Sequence, residues 1–262
     1  MRRVFGLTVL VGVLLVVIGA TIPRSSQHSP TSSSTTTTLQ PAHTVVSPVP
    51  VRACPSRSQG LHLAPAPAPG ASQPLAIPST LVGKIALYQG GGVRILAPSG
   101  WLCQASIYFD GNVIMSIAPD ETDAVGFFPE PSSNRSNSAR VQFNGIPTCA
   151  ECSLAQVCPF FVAAITLLHD VGGSTTGCHL SSGEVIASRS PGLVGFLDPP
   201  GVVGHGTPSG GPYVASSKAY FARHGTTIIG SYVVSCTLPG NLATICSTSL
   251  KSFALTHPHY GL

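Results

Sequence analysis

The densest group of reactive side chains lies in a proline- and glycine-rich segment, DPPGVVGHGTPSGGP. Asp198, His205 and Ser209 supply a carboxylate, an imidazole and a hydroxyl within twelve residues. Hydrolases use these three groups to activate a serine nucleophile, so the segment is a candidate catalytic site. In that interpretation His205 is the base, Asp198 or Glu184 orients it, and the hydroxyl of Ser209 lies about 3 Å from the imidazole.

The same segment is also typical of a turn. The residues of a catalytic triad are normally brought together by the fold and not by proximity in the sequence. Ser209 lacks the G-x-S-x-G pattern of a nucleophile elbow, and proline and glycine at this density build turns. The sequence contains no H-E-x-x-H, P-loop or dinucleotide-binding motif. It predicts no cofactor and favours a noncatalytic domain, with a hydrolase as the alternative.

Eight cysteines form the second group that could carry chemistry. They are Cys54, Cys103, Cys149, Cys152, Cys158, Cys178, Cys236 and Cys246. An even number in an exported chain predicts four disulfides, and we expect Cys236 to pair with Cys246. The alternative is a zinc site formed by Cys149, Cys152, Cys158 and Cys178. Zinc sites of this type usually show two close cysteine pairs, whereas this chain has one C-x2-C pair, so we predict disulfides and no metal.

A β-sheet is the scaffold expected to position these groups. The stretch QASIYFDGNVIMSI predicts a hairpin with a two-residue turn at Asp110-Gly111, which places Ile107 opposite Ile114. Helices are predicted over residues 160–169 and after a cap at Asn241. Further strands are predicted at residues 84–88, 93–97, 184–188, 213–222 and 226–236. The fold class is therefore α+β, a single disulfide-stapled extracellular domain with an antiparallel sheet and about two helices.

The beginning of the chain predicts export. Two arginines precede an apolar run at residues 4–22, which as a helix is about 28 Å long and matches the roughly 30 Å bilayer core. Residues 1–23 are thus expected to be a single-pass membrane anchor with the C-terminal part extracellular, or a cleaved signal of a secreted protein. The Ser/Thr/Pro-rich residues 24–80 predict a disordered stalk, and residues 81–262 a globular domain.

The charge distribution argues against a nucleic-acid partner. The formal net charge is +4, and charged residues make up only 8% of the chain. Five of the thirteen basic residues precede residue 81, whereas all nine acidic residues follow it. Nucleic-acid binding needs lysines and arginines gathered on one face to displace phosphate counterions. The membrane, through residues 4–22, is therefore the one partner that the sequence predicts directly.

Several short motifs point to a family. GWLC, the C-x2-C pair, DPPGVVG and CTLP follow one another between residues 85 and 255. In these motifs the chain resembles an uncharacterised family of secreted or membrane-anchored proteins of high-GC Gram-positive bacteria. The resemblance implies a place in the cell envelope and implies no activity. We therefore expect a binding or structural role toward an unknown envelope component.

Overall fold

Two β-sheets and three α-helices make up the described part of the chain. A computed structural model describes residues 43–58, 70–108, 112–119, 140–145, 149–206 and 210–256. The helices are α1 (Ala150–Val157), α2 (Val162–Asp170) and α3 (Ala243–Thr256), with 3-10 turns at Ser79–Leu81 and Gly240–Leu242. The strands are β1 (Thr44–Ala53), β2 (Ser56–Ser58), β3 (Ser72–Pro78), β4 (Ile85–Gly90), β5 (Val93–Pro98), β6 (Leu102–Ile107), β7 (Val113–Ala118), β8 (Arg140–Gly145), β9 (Val185–Ser190), β10 (Leu193–Asp198), β11 (Ala215–His224) and β12 (Thr227–Thr237).

The larger sheet has eight strands in the order β2-β6-β7-β8-β12-β11-β10-β9, and the smaller has four in the order β3-β1-β4-β5. Neighbouring strands are antiparallel except for β1 with β4 and β2 with β6. Strand β12 occupies the middle of the larger sheet, between β8 and β11. The predicted α+β class with antiparallel sheets is confirmed.

The two faces of the larger sheet are covered by different elements. On one face Phe143 and Tyr232 pack against Phe253 of α3, with ring centroids 5.2 Å apart in both pairs. The same buried cluster continues into the smaller sheet. On the other face, Phe221 of β11 packs with apolar residues of α1 and α2, among them Leu154. Because strand side chains alternate between faces, each strand contributes to both layers.

The predicted hairpin is present as β6 and β7, but its predicted register is wrong. Ile107 lies opposite Val113, and Ile114 lies opposite Ser106. This register puts Val113, Met115 and the other odd-numbered apolar residues of β7 on the same buried face as Ile107. In the register predicted from a two-residue turn, these apolar side chains of β7 would face away from the core. Burial of the apolar residues therefore determines the register of the hairpin. The turn at residues 109–111 lies outside the described residues.

The other predicted strands correspond to β4, β5, β9, β11 and β12, and the predicted helices to α2 and α3. Asn241, the predicted helix cap, instead lies within the 3-10 turn that precedes α3. Strands β8 and β10 and helix α1 were not expected from the sequence.

The predicted stalk is wrong over two stretches, because residues 44–58 and 72–78 form strands. Strands β1 and β3 pair over seven residues, with Val49 and Ile77 buried. Their prolines all fall in the same alternate set of pairs, Thr44 with Pro78, Pro48 with Pro74 and Pro50 with Ser72. In an antiparallel pair, residues that exchange N–H···O=C hydrogen bonds alternate with residues that do not. Proline has no N–H group, so these prolines fit the positions without hydrogen bonds.

Folded structure in the described residues therefore begins with β1 at Thr44, well before residue 81. The remainder of the predicted stalk, residues 24–42 and 59–69, lies outside the described residues. So does the predicted anchor at residues 4–22. No helix in the described part of the chain has the length and apolar character needed to cross a membrane.

Candidate functional site

A row of polar side chains crosses five neighbouring strands on the α1–α2 face of the larger sheet. Successive cross-strand partners in this row are Gln104, Ser116, Gln142, Ser235 and Ser217. All but Gln142 are buried, and the Ser217 hydroxyl donates a 3.1 Å hydrogen bond to the Ser235 hydroxyl. Buried polar groups are costly unless they are hydrogen-bonded, so a continuous row marks a part of the sheet suited to polar contacts.

The predicted segment lies at one end of this polar row. Glu184 immediately precedes β9, Asp198 ends β10, and His205 follows in the loop between β10 and β11. Leu197 pairs with Val185 across the two strands, so the antiparallel pairing brings Glu184 and Asp198 to the same end of the sheet. The topology thereby gathers three titratable groups that are up to 21 residues apart in the sequence.

Glu184 holds the His205 imidazole. Its Oε2 lies 2.8 Å from His205 Nδ1, and its side chain is 0% exposed against 25% for His205. The carboxylate also accepts hydrogen bonds from the backbone N–H groups of Ser181 (3.1 Å) and His205 (3.0 Å). An ionised carboxylate only accepts hydrogen bonds, so Nδ1 carries the proton. In the neutral ring Nε2 is then the acceptor.

The protonation of Glu184 follows from its surroundings. Burial alone would raise the pKa of the Glu184 carboxyl. The hydrogen bonds from the His205 ring, from Asp198 and from the His205 N–H outweigh burial, and the pKa lies below its ordinary value. Glu184 is therefore ionised at neutral pH, as the Nδ1–H assignment requires.

Asp198 supports the loop that carries His205. The residue is 0% exposed, and its Oδ2 accepts a 2.8 Å hydrogen bond from the Gly206 N–H. A Cβ added at Gly204 would collide with the Asp198 carboxyl group, and one at Gly206 with the Ser217 hydroxyl. Of the two acids that the sequence offered to His205, the structure pairs it with Glu184. Ser209, the predicted nucleophile, lies outside the described residues.

A cavity of about 310 Å³ opens between His205, helix α1 and the sheet. Its polar lining consists of His205, Gln142, Asn144, Gln156 and Ser235. Gln156 Nε2 donates a 2.8 Å hydrogen bond to the Asn144 carbonyl oxygen, which ties α1 to β8. No described lining residue carries a carboxylate, ammonium or guanidinium group. Because the converging groups are mainly carboxamides and a hydroxyl, which both donate and accept hydrogen bonds, the cavity suits a neutral polar ligand.

A larger, mostly apolar cavity of about 640 Å³ lies on the opposite face, between α3 and strands β10 and β11. Lys218 lines it together with apolar residues such as Leu197 and Leu250. Burial lowers the pKa of the Lys218 ammonium. Tyr213, Ser216 and Ser247 also line this cavity, but apolar surface makes up most of it. Because polar groups form a larger share of the lining of the smaller cavity, that cavity is the better candidate for a site selective for a polar ligand.

The carboxamides that line the smaller cavity were not predicted from the sequence as site residues. Gln142 and Asn144 alternate with Val141 and Phe143, which is the pattern of a half-buried strand. That signal was present in the RVQFNG stretch, but it indicates only a strand. The residues that lie opposite Gln142 and Asn144 are determined by the long-range pairing of β8 with β12 and β7.

All eight cysteines form disulfides, as predicted. The pairs are Cys54–Cys103, Cys149–Cys152, Cys158–Cys178 and Cys236–Cys246. The specific prediction for Cys236 and Cys246 is confirmed. The four sulfurs of the alternative zinc site are divided between two disulfides, so none of them is a thiolate in this structure.

Comparison with known proteins finds no family model, no curated protein and no solved structure that matches the chain.

Proposed function

We propose that the chain is an extracytoplasmic cell-envelope domain that binds a neutral saccharide in the cavity beside His205. The observation that carries the proposal is the lining of that cavity, in which three carboxamides, a hydroxyl and an imidazole converge and no described residue supplies a carboxylate, ammonium or guanidinium group. Hydroxyl and acetamido groups of envelope sugars offer matching donors and acceptors. The volume of about 310 Å³ is at the small end for ligand sites, which favours one terminal sugar unit.

Support for the location comes from the cysteines and the first residues. Eight paired cysteines are typical of a compartment where disulfides persist, which is outside the cytoplasm. The apolar run at residues 4–22 and the resemblance to secreted and membrane-anchored proteins agree with this placement. A membrane anchor and secretion after cleavage are both compatible with the proposed binding role.

Binding is favoured over catalysis because the hydroxyl and the imidazole that line the cavity are both hydrogen-bonded to other residues of the protein. The hydroxyl that lines the cavity with His205 belongs to Ser235, and that hydroxyl is hydrogen-bonded to Ser217. Two hydrogen bonds from His205 to Glu184, one from the ring and one from the backbone N–H, hold the His205 loop in place. A rigid polar wall of this kind pre-organises a ligand site and reduces the entropy lost on binding.

The proposal is tested by calorimetric titration of the full-length chain, purified in detergent, with the disaccharide of N-acetylglucosamine. We expect saturable binding, weakened about fivefold in Gln156→Leu, because a ligand hydrogen bond is worth about 1 kcal/mol. His169→Ala, at an exposed histidine of α2, is the matched control and should bind like the wild type. Absence of binding by the folded wild-type chain to this sugar and to a neutral tetrasaccharide would overturn the proposal.

A second candidate function is hydrolysis with His205 as general base. It is favoured by one observation, the 2.8 Å contact between Glu184 Oε2 and His205 Nδ1, which leaves Nε2 as the acceptor for a proton. Glu184→Gln keeps a hydrogen-bonding side chain and removes the negative charge. If the chain is a hydrolase, this variant should lose at least about 100-fold in cleavage of the bound sugar polymer. Wild-type binding without any cleavage between pH 5 and 9 would reject this candidate and leave the binding role intact.

A further inference from the structure

The Cys149–Cys152 disulfide differs from the other three in its exposure to solvent. Cys152 is exposed and Cys149 is partly exposed. Each of the other disulfides has at least one buried cysteine, namely Cys54, Cys158, and both Cys236 and Cys246. A thiol in solution therefore has direct access to one disulfide and restricted access to three.

This disulfide also contributes little to the stability of the fold. Its cysteines are 3 residues apart in sequence, against 10, 20 and 49 for the other pairs. A cross-link stabilises mainly by restricting the unfolded chain, and that effect grows with the length of the closed loop. Helix α1 is already attached at its other end by the Cys158–Cys178 disulfide. The short disulfide is thus the one whose opening changes the fold least.

The position at the start of a helix favours a thiolate. Cys149 is the N-cap of α1, and its Sγ accepts a 3.1 Å hydrogen bond from the backbone N–H of Cys152. The positive end of a helix and a directed N–H group both stabilise a negative sulfur. Cys149 is accordingly the better leaving group, while the more exposed Cys152 is the sulfur that an incoming thiolate reaches.

We propose that Cys149 and Cys152 form a thiol–disulfide exchange site that oxidises dithiols of exported polypeptides. A partner thiolate attacks Sγ of Cys152, the Cys149–Cys152 bond breaks, and its electron pair leaves on Cys149. The partner's second thiolate then attacks the partner sulfur of the mixed disulfide and expels Cys152. The partner gains a disulfide and loses two electrons, and the two cysteines take up those electrons and the two protons. This activity goes beyond the proposed sugar binding and does not depend on the cavity.

The first experiment is a graded reduction of the full-length chain in detergent by dithiothreitol, followed by alkylation and peptide mass mapping. We expect label on Cys149 and Cys152 at reductant concentrations at least tenfold below those that label any other cysteine. Simultaneous reduction of all four disulfides would contradict the proposal, because the site would then have no selective reactivity.

The second experiment measures oxidation of reduced, unfolded ribonuclease by the chain, with oxidised glutathione as the terminal oxidant. The wild type should accelerate thiol loss, whereas the double variant Cys149→Ser with Cys152→Ser should equal the glutathione background. Acid quenching should trap the mixed disulfide on Cys152. A near-ultraviolet circular dichroism spectrum unchanged from the wild type checks that the variant is folded. Equal rates for wild type and folded variant, or trapping on Cys149 alone, would overturn the proposed reaction.

Discussion

The Ser249 hydroxyl donates a 2.6 Å hydrogen bond to the Leu96 carbonyl oxygen and so fixes helix α3 to strand β5 of the smaller sheet. The same helix is fixed to strand β12 of the larger sheet by the Cys236–Cys246 disulfide. Ser249 is fully buried. Helix α3 therefore joins the two sheets through one specific bond to each, in addition to its apolar contacts.

Removing the Ser249 hydroxyl should weaken this connection. We expect Ser249→Ala to lower the free energy of unfolding by about 1–2 kcal/mol, because the buried Leu96 carbonyl loses its hydrogen bond. Ser247 lies on the same helix, is exposed, and bonds only locally to the Thr244 carbonyl. Ser247→Ala should therefore change the unfolding free energy by less than about 0.5 kcal/mol. Urea titration followed by fluorescence of Trp101 measures both, and equal losses would contradict a joining role for Ser249.

Glu184 should make stability depend on pH in the acid range. Its pKa is lower in the folded chain than the ordinary value of 4.5, so the folded state holds its proton less tightly than the unfolded state. The resulting stabilisation is present above about pH 4.5 and is lost as the pH falls through the folded pKa. We expect Glu184→Gln to be less stable at pH 7, by about 1–3 kcal/mol, and to lose less on acidification.

Thermal unfolding of the full-length chain between pH 7 and 3 measures this difference. Glu151→Gln removes an exposed carboxylate from α1 and is the control, with the wild-type pH profile expected. If the profile of Glu184→Gln also follows that of the wild type, the hydrogen bonds to the carboxylate do not determine the acid sensitivity.

The close approach of Gly206 to Ser217 leaves no room for a side chain. We expect Gly206→Ala to destabilise the chain by about 1–3 kcal/mol, since the added methyl group must displace the Ser217 hydroxyl or the loop. Gly177 has no atom within 4 Å of an added Cβ, so Gly177→Ala should be neutral or slightly stabilising. Chemical unfolding compares the two. Because Gly206 follows His205, the first variant should also weaken the sugar binding, and unaltered stability and binding would show that the loop yields easily.

Lys218 places an ammonium group against an apolar cavity. Burial lowers its pKa in the folded chain, so the unfolded state binds more protons between the folded pKa and the ordinary value of 10.5. Wild-type stability should therefore rise with pH through that window. Lys218→Met should be at least as stable as the wild type at pH 7 and should lack this rise. The control Lys251→Met, at an exposed lysine, should retain it. Parallel slopes for all three chains in unfolding measured from pH 7 to 10 would show that the ammonium stays solvated.

The fold could be predicted where the signal is local. The β6–β7 hairpin, the apolar run of α2 and the parity of the cysteines all come from short stretches or from composition. Strands β1 and β3 could not be predicted in this way. Prolines such as Pro48 and Pro74 are typical of an extended linker, and only the pairing of the two strands makes them part of a sheet. Their stability comes from that pairing and from Val49 and Ile77 in the core.

Only part of the candidate site could be predicted from the sequence, because the rest depends on the pairing of strands that are distant in the chain. His205 and its two possible acids are visible in the sequence, but the preference for Glu184 over Asp198 depends on the pairing of β9 with β10. Gln142 and Ser235 are unremarkable as single residues. They become one polar wall because β8 and β12, about ninety residues apart in the chain, are neighbours in the sheet.

The central place of β12 constrains the order in which the larger sheet can be completed. Strands β2, β6, β7 and β8 make one half of the larger sheet and β9, β10 and β11 the other, and among the described strands β12 is the one that joins them. During synthesis from the N-terminus, the edge of β8 in the first half stays unpaired until β12, which ends at Thr237, has been made. An open strand edge of this kind invites association with other chains, so the interval before β12 arrives is when the protein most needs protection from aggregation.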